Sequence, residues 1–295
     1  MTRTLANLLL VAIALIWGLA FIYQKTAMAH VGPLLFVAIR SAIACVVLLP
    51  LALFERRSRT PKIPLALWQI GAFGGAMFFL AAALQQIGMV TATVTNTGFL
   101  TGLYVVVTPL IVWALFANPP ARHIWAAVGF AFTGTWFLGG GTVGGLSTGD
   151  VLVAISSIFW AGHIVVIERS TVHASPTTFT MIQFLVTGVL GLCAATIFEP
   201  IVWSGIIAAL PELLFVGVLS SALTFTLMAV AMRSAASSEA AIIVSLETVF
   251  AALFAAVMLG ERLSLVGWIG AALLFSATLI VQGYPYVKER WRRSR

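Results

Sequence analysis

Residues Ser245–Ser264 read SLETVFAALFAAVMLGERLS, an apolar helical stretch that ends at Glu261 and Arg262 and carries one further carboxylate, Glu247, set just inside its start. What Glu247 does depends on the solvent around it, and the composition decides that. Of 295 residues, 61% are hydrophobic and only 8% charged, and the mean hydropathy is +1.08. Soluble domains are roughly half apolar and a quarter charged, so this chain reads as a polytopic membrane protein. Cys45 and Cys193 both fall inside apolar runs. They suit packing rather than a disulfide framework or a metal site. The opening apolar run continues past Phe21, far enough to span a bilayer, and reads as a retained helix rather than a signal peptide.

Ten apolar runs of about spanning length lie between charge clusters and Gly/Pro breaks, at 5–24, 33–54, 65–88, 92–116, 122–139, 150–168, 176–198, 207–232, 238–259 and 263–283. Lysine and arginine orient them. With the N-terminus inside, the inner segments hold thirteen basic residues, from Arg3 and the cluster at 56–62 to the tail KERWRRSR, whereas the outer segments hold only Lys25 and Arg262. The positive-inside rule then puts both termini in the cytoplasm and the loop around 140–150 outside. The same clusters account for the net charge of +7 through anionic lipid headgroups, so no nucleic acid is needed as a partner.

The chain repeats itself. At a shift of 143, Trp17 falls on Trp160, Pro33 on Pro176, Phe36 on Phe179, Arg40 on Gln183, Trp125 on Trp268 and Thr135 on Thr278. In the middle of each half a shift of 146 places Leu100 on Leu246 and Thr101 on Glu247. Five helices per half is an odd number, so the second half enters the membrane upside down. The expected fold is an all-α integral membrane protein of ten transmembrane helices in two inverted five-helix repeats, a transporter architecture with its site near the midplane. The first repeat covers 1–139 and the second 150–283, joined by a glycine-rich external connector at 140–149 and followed by a basic cytoplasmic tail at 284–295.

ALIWGLAF (14–21) in helix 1, PLLFVAIR (33–40) opening helix 2, and LETVFAALF (246–254), LGERL (259–263) and WIGAALL (268–274) across helices 9 and 10 resemble the EamA-type, ten-helix branch of the drug/metabolite transporter superfamily. Length, aromatic content and the run of helices 1 and 4 are most similar to its YddG-type exporters of aromatic amino acids. The family places a proline after the helix-9 glutamate, where Thr248 stands here. The resemblance implies export of amino acids or similar amphipathic metabolites from the cytoplasm across a bacterial inner membrane, by alternating access and without a cofactor.

Candidate path residues follow from helical spacing. Trp17, Phe21 and Gln24 recur at i, i+4 and i+7 on helix 1, and Ser156, Trp160 and His163 form the equivalent face of helix 6. Such a stripe serves packing or lipid contact as readily as a cavity wall. His163 at membrane depth marks function, unless a hydrogen bond makes it structural. Helix 4 opens TATVTNTGFLTG, too polar for lipid. Asn96, Thr97, Thr101 and Tyr104 can point inward as substrate contacts or as interhelical glue, while Gly98 and Gly102 allow another helix to approach closely. Thr224, with Ser220 and Ser221, can reach inward from helix 8 or bond back to its own helix.

Glu247 lies about ten residues into helix 9, roughly 15 Å deep at 1.5 Å per residue, near the middle of a core about 30 Å thick. A bare charge there is expensive, so a partner is expected: the threonine face of helix 4, or Arg40, which sits nearer the outer side and can snorkel. A structural lock between helices 4 and 9 and direct substrate or proton binding both remain open. Helix 1 carries no Asp or Glu, so proton coupling has no carboxylate there, and facilitated transport is the expectation. GLSTG (145–149) matches a nucleophile elbow but lacks its strand, turn and partners. No metal-ligating motif, catalytic set or Walker lysine is present. Transport of phosphorylated or nucleotide-linked solutes would want several buried cations, and only Arg40 qualifies; a membrane enzyme or lipid scaffold has no constellation to support it. The partners are a small-molecule substrate and membrane lipid, and nothing in the pattern fixes an oligomeric state.

Overall fold

The computed structural model describes residues 1–57, 63–117, 119–138, 147–173, 175–260, 262 and 264–293, the side chains of 282, 283 and 285–293 excepted. Among the described residues all regular structure is helical. The long helices are α1 (Arg3–Ala27), α2 (Pro33–Arg57), α3 (Leu65–Gly88), α4 (Val94–Phe116), α5 (Arg122–Leu138), α6 (Thr148–His173), α7 (Pro176–Phe198), α8 (Leu210–Ala231), α9 (Ser237–Met258) and α10 (Leu265–Arg293). A short helix, Trp203–Ala208, leads into α8. Eight of them, all but α5 and α10, are long and apolar enough to cross a membrane, and α10 adds a shorter apolar stretch at Leu265–Val281. The 17-residue α5 lies along α10. The protein is an all-helical integral membrane protein.

One boundary differs from the sequence reading, and another lies outside the described residues. The backbone of α10 stays helical through Arg293, because the lysine, glutamate and arginines beyond 287 are good helix formers. Of the glycine-rich connector expected at 140–149, residues 140–146 lie outside the described residues.

The packing repeats itself between the halves. α2 lies along its own counterpart α7, and α5 along α10. α3 packs on α6 and α7, and exchanging each helix for its counterpart gives α8 on α1 and α2, which is also found. Likewise α1 on α9 is mirrored by α6 on α4. The halves are thus related by a pseudo-twofold axis, which for five-helix halves of opposite direction lies across the helices.

At the ends of α2 and α7 the symmetry takes chemical form. Both helices start with proline, which needs no amide partner there, and both leave the next amides to be satisfied. Glu199, just past the end of α7, accepts from the Leu34 and Leu35 amides at 2.8 and 2.9 Å. Glu55, near the end of α2, accepts from the Thr178 amide at 2.9 Å and its hydroxyl at 2.7 Å. Each helix's trailing carboxylate caps the start of its counterpart, where the helix dipole favours negative charge. Gly32 leaves the space for this: a Cβ there would fall 2.3 Å from Glu199 Oε2.

Two further links join corresponding pairs of helix starts, with Glu239 and Asn96 standing 143 residues apart. At the bundle end that carries Arg3, here the basal end, Arg3 pairs with Glu239 at the start of α9. At the far end, Asn96 near the start of α4 donates to Asp150 near the start of α6 at 3.3 Å.

Burial is distributed as lipid demands rather than water. Large apolar side chains such as Leu8, Val46, Phe73, Ile197 and Val257 face outward, while Arg40, Gln86, His163, Gln183 and Thr187 are buried. Between helices, small residues set the approach. A Cβ on Gly18 would fall 2.4 Å from Phe250 Cβ, so α1 and α9 touch nearly backbone to backbone. The Gly98 and Gly102 step does the same for α4, against Ala251 and Thr248 of α9.

Candidate functional site

α4 and α9 are each interrupted by one overwound turn. In α4 the Gly102 amide still bonds to Gly98 O, but Leu103 bonds to Leu100 O, Val105 to Gly102 O and Val106 to Leu103 O, three residues back instead of four. In α9 Ser245 bonds to Ala241 O, then Leu246 to Ile243 O, Thr248 to Ser245 O and Val249 to Leu246 O. The two patterns coincide residue for residue. No proline stands at either turn; Pro109 lies further along α4 inside regular helix, and Thr248 forms the α9 turn without one.

This geometry corrects the internal alignment. The turns match at the shift of 143 that holds elsewhere, so the counterpart of Glu247 is Tyr104 and not Thr101. Tyr104 is also its partner: the hydroxyl donates to Glu247 Oε1 at 2.9 Å, with both side chains buried. Each is the eleventh residue of its helix, at mid-depth. Arg40, the other expected partner, forms no ion pair among the described residues, and at 4% exposure it does not snorkel outward.

Around this pair the halves line a partly open cavity. One side of its wall is a cluster of aromatic rings. Phe78 at the centre meets Trp160, Phe225 and His163 edge-on, with ring centroids 5.1, 5.0 and 5.3 Å away. Trp17 lies 4.8 Å from Phe225. The two symmetry-related tryptophans are held differently. Trp17 Nε1 donates to Thr224 Oγ1 at 2.8 Å and to Ser220 O at 3.1 Å. That carbonyl lies in a π-helical stretch of α8, Phe215–Leu223, whose wider turns are frequent at functional sites. Trp160 Nε1 is buried without a hydrogen-bond partner.

A polar arc completes the wall. Gln85 donates to Thr101 Oγ1 at 2.7 Å. Arg40 reaches Gln24 Oε1 from Nη1 over a long 3.4 Å, and its guanidinium carbon stands 5.3 Å from the Phe78 ring centroid. Its Nε and Nη2 have no partner. His163 shares a hydrogen bond of 3.0 Å with Gln183, so it is both cavity-lining and structurally held.

Of the residues expected from sequence, Trp17, Phe21, Gln24, Thr101, Tyr104, Trp160, His163 and Glu247 line the cavity. Four do not. Asn96 is spent on Asp150, Thr97 bonds back to Thr93 O, Ser156 bonds back to Val153 O, and Thr224 stands behind Trp17 as its acceptor. Three of these short polar side chains found backbone or interhelical partners nearer than the cavity. Phe78, Phe225, Ile164 and Met228 also line it, and sequence reasoning missed them because an apolar residue in an apolar helix carries no local mark. Arg40 did carry one, as the lone basic residue within an apolar run.

A family model described as the EamA-like transporter family matches residues 4–140 and again 147–282. An uncharacterized transporter of Archaeoglobus fulgidus is 32% identical over 285 residues, covering 95% of this chain and 86% of that protein. The uncharacterized transporter YwfM of Bacillus subtilis is 22% identical over 298 residues, covering 97% and 96%. A solved crystal structure, described only as that of a protein, superposes with a TM-score of 0.76 at 18% identity, covering 95% of this chain and 96% of that one, which bears on the fold alone.

Proposed function

Because the chain belongs to the EamA-like transporter family, we propose that it carries amino acids, favouring those with aromatic or other apolar side chains, out of the cytoplasm by alternating access. One observation carries this reading. The mid-depth cavity carries a cluster of aromatic rings together with one guanidinium, Arg40, and one carboxyl group, Glu247, that are not paired with each other. That is the complement of a zwitterion with a large apolar side chain. Ring packing supplies affinity, and the few fixed polar groups supply orientation. A phosphorylated or nucleotide-linked solute would bring more negative charge than one arginine balances.

The basic residues Arg3, Arg56, Arg57, Arg122, Arg169 and Arg233 support a cytoplasmic location for the basal end and for both termini by the positive-inside rule, and the membrane of this reading is a bacterial inner membrane. Transport is facilitated: Glu247 is held by its own counterpart residue and acts as a lock between α4 and α9 rather than as a proton shuttle. Counterflow of radiolabelled tryptophan in proteoliposomes tests the reading. Uptake by the native protein is expected, with strong reduction in Trp17→Ala and Trp160→Ala. Unchanged uptake in well-folded forms of both variants would remove the aromatic cavity as the substrate site.

A further inference from the structure

Resting on the substrate reading above, we infer that Arg40 is the receptor for a substrate carboxylate, and that this group is obligatory for binding while the ammonium is not. The guanidinium remains charged in proteins, yet here it is 4% exposed and forms no ion pair among the described residues. Its one hydrogen bond, to Gln24 Oε1, is stretched to 3.4 Å, and Nε and Nη2 are unpartnered. The Phe78 ring and the cavity space adjoin it.

A buried cation in this state is costly unless something completes it. A guanidinium presents two parallel donors in a planar fork, which a carboxylate fits with two short charge-assisted bonds. Bound there, a carboxylate would leave the rest of the molecule against Phe78 and the rings around it. Glu247, the group that would face an ammonium, already accepts from Tyr104 through Oε1, so the ammonium contributes less than the carboxylate does at Arg40. The class of ligand is therefore the apolar monocarboxylate, amino acids included. Amines and esters of the same shape are rejected by the uncompensated arginine. Dianions are disfavoured because Arg40 is the lone cation among the lining residues.

The test uses purified full-length protein and two probe series read by ligand-induced thermal shift and tryptophan-fluorescence titration. One is phenylalanine, 3-phenylpropionate, phenylalanine methyl ester and phenethylamine. The other is leucine, 4-methylpentanoate, leucine methyl ester and isoamylamine. The acids are expected to bind at least about tenfold more tightly than the ester and amine of the same series. Arg40→Gln is expected to erase that preference while raising the melting temperature of the empty protein, since it removes an unpaired buried charge. A residue with a merely structural role would lower it. Arg40→Lys keeps the charge without the fork, and is expected to bind the acids more weakly while still preferring them to the ester. Equal binding of acid, ester and amine, absence of binding by every acid, or an acid preference intact in Arg40→Gln overturns the inference; so does unchanged acid affinity in Arg40→Lys. If the leucine series alone binds and depends on its carboxylate, the role of Arg40 stands and the aromatic preference falls. If the phenylalanine series binds without regard to its carboxylate, the reverse holds.

Discussion

Tyr104 and Glu247 occupy the same position in the two halves of the chain, 143 residues apart, and meet across a hydrogen bond of 2.9 Å. A residue touches its own symmetry mate only beside the axis that relates them. The pair therefore marks the centre of the molecule, and the overwound turns that precede each residue set both side chains toward that centre.

The first prediction concerns this bond. Glu247→Gln keeps an oxygen for the tyrosine hydroxyl and is expected to retain both stability and most transport. Tyr104→Phe and Glu247→Leu each strand a buried polar partner, at about 1 to 3 kcal/mol. The double variant Tyr104→Phe/Glu247→Leu, which removes both, is expected to lose clearly less than the sum of the two. Thermal unfolding of the four proteins in one detergent closes the cycle. Loss of transport in well-folded Glu247→Gln, together with transport by the native protein that collapses without a proton gradient, would make Glu247 a proton carrier instead.

A second prediction separates the two tryptophans. Trp17→Phe loses two hydrogen bonds from its indole nitrogen and is expected to destabilise by about 1 kcal/mol or more. Trp160→Phe removes a nitrogen that has no partner, and its stability is expected to stay level or rise. Urea or thermal unfolding of both reads the difference. Equal losses would show that ring volume, not hydrogen bonding, dominates at both sites.

Third, the reciprocal caps are expected to be equivalent. Glu55→Ala and Glu199→Ala each leave helix-start amides unsatisfied, at about 0.5 to 2 kcal/mol by analogy with helix N-caps. Matching falls in melting temperature check this. A large loss at one and none at the other would show that the two ends carry unequal load.

A fourth prediction uses the links between helix starts at opposite ends of the bundle. Breaking Arg3–Glu239 with Glu239→Ala is expected to favour opening at the basal end, and breaking Asn96–Asp150 with Asn96→Ala to favour opening at the far end. Single cysteines placed in the cavity wall, probed with a membrane-impermeant thiol reagent from each side, measure the bias. Identical labelling patterns in the two variants would show that neither link holds a gate.

The fold was legible because its determinants are long-range averages. The spanning runs, the basic asymmetry and the 143-residue repeat, seen in pairs such as Trp17 with Trp160, survive any local ambiguity. The candidate site was legible where chemistry was locally odd, as with a tryptophan on a mirrored face or His163 and Glu247 at membrane depth, and where helical spacing carried Phe21 and Gln24 along with Trp17. It was not legible where odd residues had nearer partners. Thr97 and Ser156 look inward by spacing but satisfy their hydroxyls on their own helices. The misplaced counterpart of Glu247 has a similar origin, since Leu100 and Leu246 align by residue type while the hydrogen-bond pattern of the turns aligns Tyr104. In a sequence this rich in leucine, identity is weak information and backbone geometry is stronger.

The exchange of caps between α2 and α7 has a consequence for biosynthesis. When the ribosome has released only the first half, the amides at the start of α2 lack Glu199 and the Glu55 carboxylate has no helix start to meet. Both are completed only when α7 inserts. Neither half should therefore persist alone in the membrane. Two fragments severed within 139–146 and expressed together are expected to rescue each other from proteolysis, and that rescue should weaken when Glu199→Ala and Glu55→Ala are combined.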